Sequence, residues 1–418
     1  MAKVVMGIGS SHSPALLMKP DAWLARGETD DKTIMALHDF TGRRVQYDEL
    51  LEATPPAMLK EIEPDILQAR HLANEAAIKR IHDVLIEADP DIVVIIGDDH
   101  KEVYQEENMP ALAVYWGATL PYKPVGVMKW KYDPALKPDF WYWQDEREYP
   151  VASEFARRLI GDLMARDFDP AHSQYYLPGQ GMSHSFGYVY RRIMTDKIFP
   201  IIPVNINTYY PPNQMSPKRA YQLGQALRAS IEAWPEDLRV VVMATGGLSH
   251  FVVDEAFDKA FLDLMAKGGV EGHTKLPLEK LQSGNSEFRC WSALAGAVED
   301  KSMTLIDYVP CYRSPAGTGC AMAFADWESA SFSPCGRRWR EAPDEGCWRV
   351  ARRLCVQSPT PALIPLIRRL RRHLLPQGGK DVCGVTALGS DDARRPPRRG
   401  RAAGEPEDRG APDPRGRP

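Results

Sequence analysis

The chain has 418 residues, 44% hydrophobic and 26% charged, with a net charge of −4. That is the make-up of a globular protein large enough for one large domain or two ordinary ones, and nothing in its overall charge points to nucleic acid or a membrane surface. No apolar run approaches the roughly 20 residues of a membrane span, and the seven cysteines, odd in number and without a CxxC pair, suggest neither a disulfide framework nor a zinc knuckle. The N-terminus enters a strand almost at once and carries no signal-peptide pattern, so a cytoplasmic location is expected.

In chain order, residues 4–9 read as a strand that ends at Ser10-Ser11-His12. Residues 18–66 are polar and irregular, long enough for a lid, a binding segment or an insertion. Leu67 to Ala88 reads as an amphipathic helix with Ala69, Ala73, Ala77, Ile81, Val84 and Ala88 on one stripe, widened by Ile78 and Leu85. Asp89-Pro90 stops it, and the apolar run DIVVIIG follows, leading to Asp98, Asp99 and His100. Residues 111–116 predict another strand, and residues 123–149 form a loop rich in Pro, Trp and Tyr.

A helix over 152–167 precedes the Gly-rich stretch 177–188, which carries His184. A strand over 199–207 and a helix over 218–234 come next, with Pro217 near the helix start. RVVVMATGGLSHF puts a buried strand before Gly246, Gly247 and His250. Helices near 253–266 and 277–282, a short helix over 286–298 and closing strands over 302–313 and 317–326 complete the periodic part. Near residue 330 the cation usage changes: Lys380 is the only later lysine, while arginine dominates. Residues 362–375 suit a basic helix, and the Pro/Gly/Arg-rich end is expected to be a disordered, solvated tail rather than a nucleic-acid or membrane contact. The abrupt switch also resembles translation in a shifted frame.

Strands alternating with helices, and continuous apolar runs in the strands, imply an α/β fold. The expected architecture is a three-layer αβα sandwich around a largely parallel or mixed sheet. Ligands of such sheets bind beyond the carboxyl ends of the strands. Three strands that end in small residues and then a histidine can therefore bring His12, His100 and His250 to one crevice, joined by His184 from its loop. Any one of these alone reads more readily as a capping or hydrogen-bonded histidine. A metal there also wants a carboxylate, and Asp98, Asp99, Asp254, Glu255 and Glu287 are available. Two histidines with one carboxylate form the facial triad of non-haem Fe(II) oxygenases, and the same donors suit zinc hydrolysis. GIGSSH lacks the third glycine of a dinucleotide fingerprint, no GxxxxGK[ST] loop occurs, and GGLSH is not a GxSxG elbow.

Taken together, GIGSSHSPAL, VVIIGDDH, GMSHSFG, IPVNINTYYPP, ATGGLSHF and SGNSEFRCW resemble, in order, the class III extradiol ring-cleavage dioxygenases, the family of the protocatechuate 4,5-dioxygenase β subunit. The likeness covers about residues 1–328, and the long segment 18–66 is closer to the methylgallate-dioxygenase branch. The resemblance implies that His12, His100 and Glu287 hold Fe(II), that His250 is the base beside the metal, and that His184 is a second acid/base histidine. It implies a small aromatic diol and O2 as substrates. A homo-oligomer is expected, with a small partner subunit left open. No nucleic-acid or membrane partner is expected. The rival readings are a zinc metallohydrolase on the same ligand set and a non-catalytic binding protein of the same fold. Residues 123–149, Tyr209-Tyr210 and the loop Ser314 to Thr318 are candidates for recognising the ring substituents.

Overall fold

The computed structural model describes residues 1–32, 36–123 and 145–329. These belong to the first of the chain's two units, Met1–Arg337. The expectations for residues 330–418, and for 124–144 within the aromatic loop, lie outside the described residues.

β1 (Lys3–Ser10) leads through the 3₁₀ turn Pro14–Leu17 into α1 (Pro20–Gly27). The hairpin of β2 (Leu37–His38) and β3 (Arg44–Val45) precedes α2 (Tyr47–Ala53). The described residues of 18–66 thus form short helices and a small hairpin and are not simply irregular. Hydrogen bonds between positions three to five apart, such as the capping box of Gln46 and Glu49, hold such elements without a periodic apolar pattern.

α3 (Pro64–Ala88) begins with Pro64 in its first turn, where the missing N–H costs nothing, and ends at Asp89 in the left-handed region with φ 40°. Its inward face carries Leu67, Asn74, Ala77, Ile78, Ile81, Val84, Leu85 and Ala88. Ala69 is exposed, whereas Ala73 is half-buried against the core, so of the expected stripe only Ala69 lies outside the packed face. β4 (Ile92–Gly97), β5 (Leu112–Tyr115), the side pair β6 (Thr119–Tyr122) and β7 (Arg147–Pro150), α4 (Ser153–Met164) and β8 (Ala171–Ser173) follow.

α5 (His184–Tyr188) precedes β9 (Ile201–Ile206) and α6 (Pro217–Glu232), which is capped by the Ser216 hydroxyl accepting from Arg219 N at 3.2 Å. β10 (Arg239–Thr245), β11 (His250–Val252), α7 (Glu255–Lys267) and α8 (Val270–Thr274) lead to the 3₁₀ turn Ser283–Glu287 and α9 (Phe288–Ala297). β12 (Ser302–Tyr312) and β13 (Thr318–Glu328) close the fold.

The nine-stranded sheet has the order β11-β13-β1-β10-β4-β9-β5-β8, with β12 paired to β13. β1, β10, β4 and β9 are mutually parallel, while β13 runs antiparallel to β1 and β5 antiparallel to β9. The sheet is therefore mixed, with a parallel centre. Side chains alternate across it. Val94, Ile96, Val242 and Ala244 face a core shared with α4, α6, α7 and α9. Val93, Ile95, Val241 and Met243 face a core shared with α1, α3 and α5. Helices on both faces complete the three-layer αβα sandwich, and the continuous apolar runs follow from burial on both sides. Because the four central strands are parallel, their carboxyl ends open at one edge, and that edge carries the site.

Candidate metal centre

Each of the three strand-end histidines is delivered by its own local geometry. After β1, Ser10-Ser11-His12 continues over the sheet edge, with Ser10 Oγ paired to the Tyr188 hydroxyl at 3.1 Å. After β4 the chain turns sharply at Lys101, in the left-handed region with φ 66°. Asp99 closes this turn by accepting from the N–H groups of Lys101, Val103 and Tyr104 at 3.0, 3.0 and 3.1 Å. After β10 the chain passes Gly246, with φ 155°, before His250 starts the edge strand β11, paired opposite Cys320 of β13.

Glu287 closes the 3₁₀ turn and is the N-cap of α9 rather than a residue of its first turn. Its Oε2 accepts from Gly247 N at 2.5 Å, and the Trp291 indole donates to Gly246 O at 2.9 Å. The turn that carries Glu287 is thus stitched to the loop that carries His250.

These elements place His12, His100, His184, His250 and Glu287 in one cluster. Glu287 stands between three imidazoles: His12 Nε2 lies 3.5 Å from Oε2, His100 Nε2 3.7 Å from Oε1, and His250 Nε2 3.2 Å from Oε1. His184 Nε2 lies 3.1 Å from His12 Nε2. Of the other carboxylates weighed from sequence, Asp98 belongs to the cluster, 3.1 Å from His100 Nε2 and 3.7 Å from His12 Nε2, and accepts from the Thr208 hydroxyl at 3.1 Å. Asp99 serves its turn. Asp254 caps α7 and pairs with Lys280, and Glu255 accepts from the Tyr312 hydroxyl.

Burial and mutual charge set the protonation states. Burial pushes His12 down to about 4, against the pull of Glu287. It is therefore neutral near pH 7, the form that offers a lone pair to a metal. Burial opposes ionisation of Glu287 and Asp98, but the facing imidazoles outweigh it and hold both carboxyls below the usual carboxylate range. The side chains of His12, Asp98, Glu287, His184 and His250 are all less than one-tenth exposed, whereas that of His100 is 31% exposed and marks the open side.

The residues present fit a divalent cation. Asp98 Oδ1 is buried and makes no hydrogen bond, and His100 Nε2 faces carboxylate oxygens of Asp98 at 3.1 Å and Glu287 at 3.7 Å; buried polar atoms and crowded carboxylates of this kind cost free energy unless something satisfies them. Asp98, His100 and Glu287 offer donor atoms within 4.8 Å of one another, as do His12, Asp98 and His184. Nitrogen and carboxylate donors suit iron, zinc and related metals.

One functional neighbour escaped sequence reasoning. Glu102 receives the His184 ring, with Nδ1 2.8 Å from Oε1, and accepts from the backbone N–H groups of His184 at 3.2 Å and His100 at 2.7 Å. Burial opposes its charge, but His184 holds the carboxyl down to about 2. Burial likewise opposes charge on His184, yet Glu102, Asp98 and Glu287 raise it to about 10. The only signal in the sequence is a glutamate two positions past His100, and the unusual Lys101 backbone is what turns it back toward the site. Tyr209, already a candidate for contact with substrate, stands edge-on to the His100 ring at 4.9 Å and bonds Ser283 Oγ at 3.1 Å.

A mixed α/β sheet with a histidine and carboxylate cluster across the ends of its parallel strands defines a protein with a candidate metal centre at the sheet edge. The chain belongs to the family described as the catalytic LigB subunit of aromatic ring-opening dioxygenase, matched over residues 53–320. His100, His184, His250 and Glu287 fall inside that stretch, and His12 precedes it.

Curated relatives include a gallate dioxygenase of Pseudomonas putida, 34% identical over 128 residues, 28% of this chain and 36% of the relative. A 2,3-dihydroxyphenylpropionate/2,3-dihydroxicinnamic acid 1,2-dioxygenase of Comamonas testosteroni is 27% identical over 179 residues, 43% of this chain and 49% of the relative. The matched stretches thus span less than half the length of either relative. Among the described residues no helix is long and apolar enough to cross a membrane.

Proposed function

We propose that this chain is an Fe(II)-dependent extradiol dioxygenase that opens the ring of a catechol- or gallate-type aromatic, in the class of protocatechuate, gallate and 3-O-methylgallate, using O2. The observation that carries the reading is the position of Glu287, within 3.7 Å of both His12 and His100 and within 3.2 Å of His250. The family assignment and the dioxygenase names of both relatives support it.

In this reading His12, His100 and Glu287 hold the metal. Bound there, Fe(II) supplies coordination positions for the two substrate oxygens and O2, and the electron transfer between them. The protein supplies the proton chemistry. His250 Nδ1 lies 2.7 Å from Leu248 O, an acceptor, so Nδ1 carries a proton, while Nε2 faces Glu287 Oε1 at 3.2 Å; with Glu287 engaged by the metal, Nε2 would be the atom that takes the remaining phenolic proton. His184, with Nδ1 on Glu102, is poised to return a proton from Nε2 during ring opening. Asp98 adds negative charge beside the ligands. The buried side of the cluster excludes water, and the His100 and Tyr209 side admits the ring.

The catalytic unit is placed in residues 1–328, with 18–66 as its insertion, in a cytoplasmic homo-oligomer; a small partner subunit remains an open part of the proposal. Anaerobic reconstitution with Fe(II), followed by O2 uptake and product mass spectrometry with protocatechuate, gallate and 3-O-methylgallate, tests the reading. A ring-opened acid from at least one of them is expected. An O2-independent hydrolysis that runs on Zn(II) would favour the metallohydrolase instead, and a crevice that binds no metal would favour a binding protein.

A further inference from the structure

His250 is tied to a buried acid that it does not touch. Asp258 on α7 is fully buried, with no exposed surface. Its Oδ1 accepts from the Ser249 N–H at 2.8 Å, and its Oδ2 accepts from the hydroxyls of Ser249 at 2.6 Å and Tyr308 at 2.7 Å. The Ser249 N–H and the Leu248 carbonyl belong to one peptide group. In a trans peptide they point in opposite directions within one plane. One end of this group faces Asp258, and the other end accepts from His250 Nδ1 at 2.7 Å.

The group cannot easily rotate. Leu248 N donates to Ala321 O and Ala321 N donates to Ser249 O, both at 3.0 Å, and Asp254 N donates to Ser249 Oγ at 2.7 Å. His250 N in turn donates to Asn285 Oδ1 at 2.7 Å. An acid that pulls on the N–H end of an amide makes its carbonyl a stronger acceptor, because hydrogen bonds in a chain polarise one another.

We propose that Asp258 is a positioning residue for His250, acting through the Leu248–Ser249 peptide to fix the imidazole's orientation and hold its Nδ1 proton on the Leu248 carbonyl. The link does by way of a backbone amide what a carboxylate in direct contact does for other catalytic histidines. It rests on the reading of His250 as the base. Tyr308 serves only to hold Asp258, and Asp254 holds the serine.

The test uses full-length protein labelled with ¹⁵N-histidine, metal-free for spectroscopy and loaded with Fe(II) for turnover. Burial pushes the Asp258 carboxyl up to about 7 against its donors, so both measurements are made above that pH. In the wild type the His250 Nδ1 proton, assigned by its disappearance in His250→Gln, should resonate downfield and exchange slowly. Asp258→Asn should lose that slow proton and about tenfold in kcat, with iron content unchanged and KM within about twofold. Tyr308→Phe should keep the proton and kcat.

An unprotonated Nδ1 on wild-type His250 overturns the proposal by itself, even if Asp258→Asn does not fold. Folded Asp258→Asn with the slow proton and full kcat also overturns it. So does Tyr308→Phe with losses equal to those of Asp258→Asn, since the acid would then be only a structural prop. Should His250→Gln keep its turnover, the base assignment fails while the Nδ1 spectrum still decides the link to Asp258.

Discussion

At the scale of single residues, the proposed function separates metal holding from proton handling, and substitutions should separate them too. His12 is neutral, buried and aimed at Glu287, so His12→Ala should bind iron at least about 10-fold more weakly, whereas His250→Ala should keep iron and lose about 10²–10⁴-fold in kcat. Metal analysis beside turnover distinguishes the two, and equal metal loss in both variants would contradict the division of roles. Gly284 gives a finer probe. A Cβ there would lie 2.0 Å from His250 Cδ2, so no side chain fits while the ring stays in place. Gly284→Ala should therefore retain iron, displace the imidazole and lower kcat about 10²-fold. Retained kcat would place the productive imidazole elsewhere.

The Glu102 and His184 pair predicts a pH profile for the metal-free protein. His184 is raised from 6.5 to about 10 and Glu102 is lowered from 4.5 to about 2. Between 4.5 and 6.5 both groups are charged in the folded and the unfolded states, and their full contribution to stability is present. Above 6.5 the unfolded imidazole has released its proton while the folded one keeps it, so stability falls as pH climbs toward about 10. Below 4.5 the unfolded carboxylate takes up a proton first, so stability falls toward about 2. Glu102→Gln should flatten the alkaline limb of the urea midpoint plotted against pH; a limb as steep as that of the wild type would show that the pair is not its source.

Elements carry these residues, and one contact between elements holds Glu287. α6 and α9 pack so closely that a Cβ on Gly224 would lie 1.9 Å from Ala293 O, and one on Gly296 would lie 1.9 Å from Tyr221 O. Both obstacles are backbone atoms, which do not swing aside. Gly224→Ala should cost about 1–3 kcal/mol and lower the melting temperature, and because Glu287 is the N-cap of α9, iron affinity should weaken with it. A variant as stable as the wild type would mean that the helices can separate without cost.

The long elements were legible in sequence for a plain reason: burial on both faces demands unbroken apolar runs, which β1, β4, β9 and β10 have. α3 was legible from its stripe, although Ala69 fell outside the packed face because Leu67 turns inward there, and residues two apart do not share a helix face. β8 and β11 were not legible. At three residues each they are too short for a period to declare itself, and β11 exists because β13 offers it a partner.

Over the whole molecule, the histidines of the site were easier to read than the acids. His12, His100 and His250 each follow a strand and a short run of small residues, a local pattern that parallel strands turn into a common edge. Glu287 had no such mark among five candidate carboxylates, because its place depends on a 3₁₀ turn hydrogen-bonded to a loop 40 residues earlier in the chain. Asp98 shared its tripeptide with Asp99, and only the turn at Lys101 separates the one that faces the imidazoles from the one that closes the backbone. Glu102 and Asp258 make their contacts across elements, which no spacing records.

The most direct measurement is O2 consumption by the Fe(II)-reconstituted full-length chain with each catechol- and gallate-type acid, with products identified by mass spectrometry. The account predicts equimolar loss of O2 and aromatic, a ring-opened product carrying both oxygen atoms, and no turnover in His250→Ala despite bound iron. Iron bound at the site with no oxygen uptake on any vicinal diol, or product formed without O2, would contradict it.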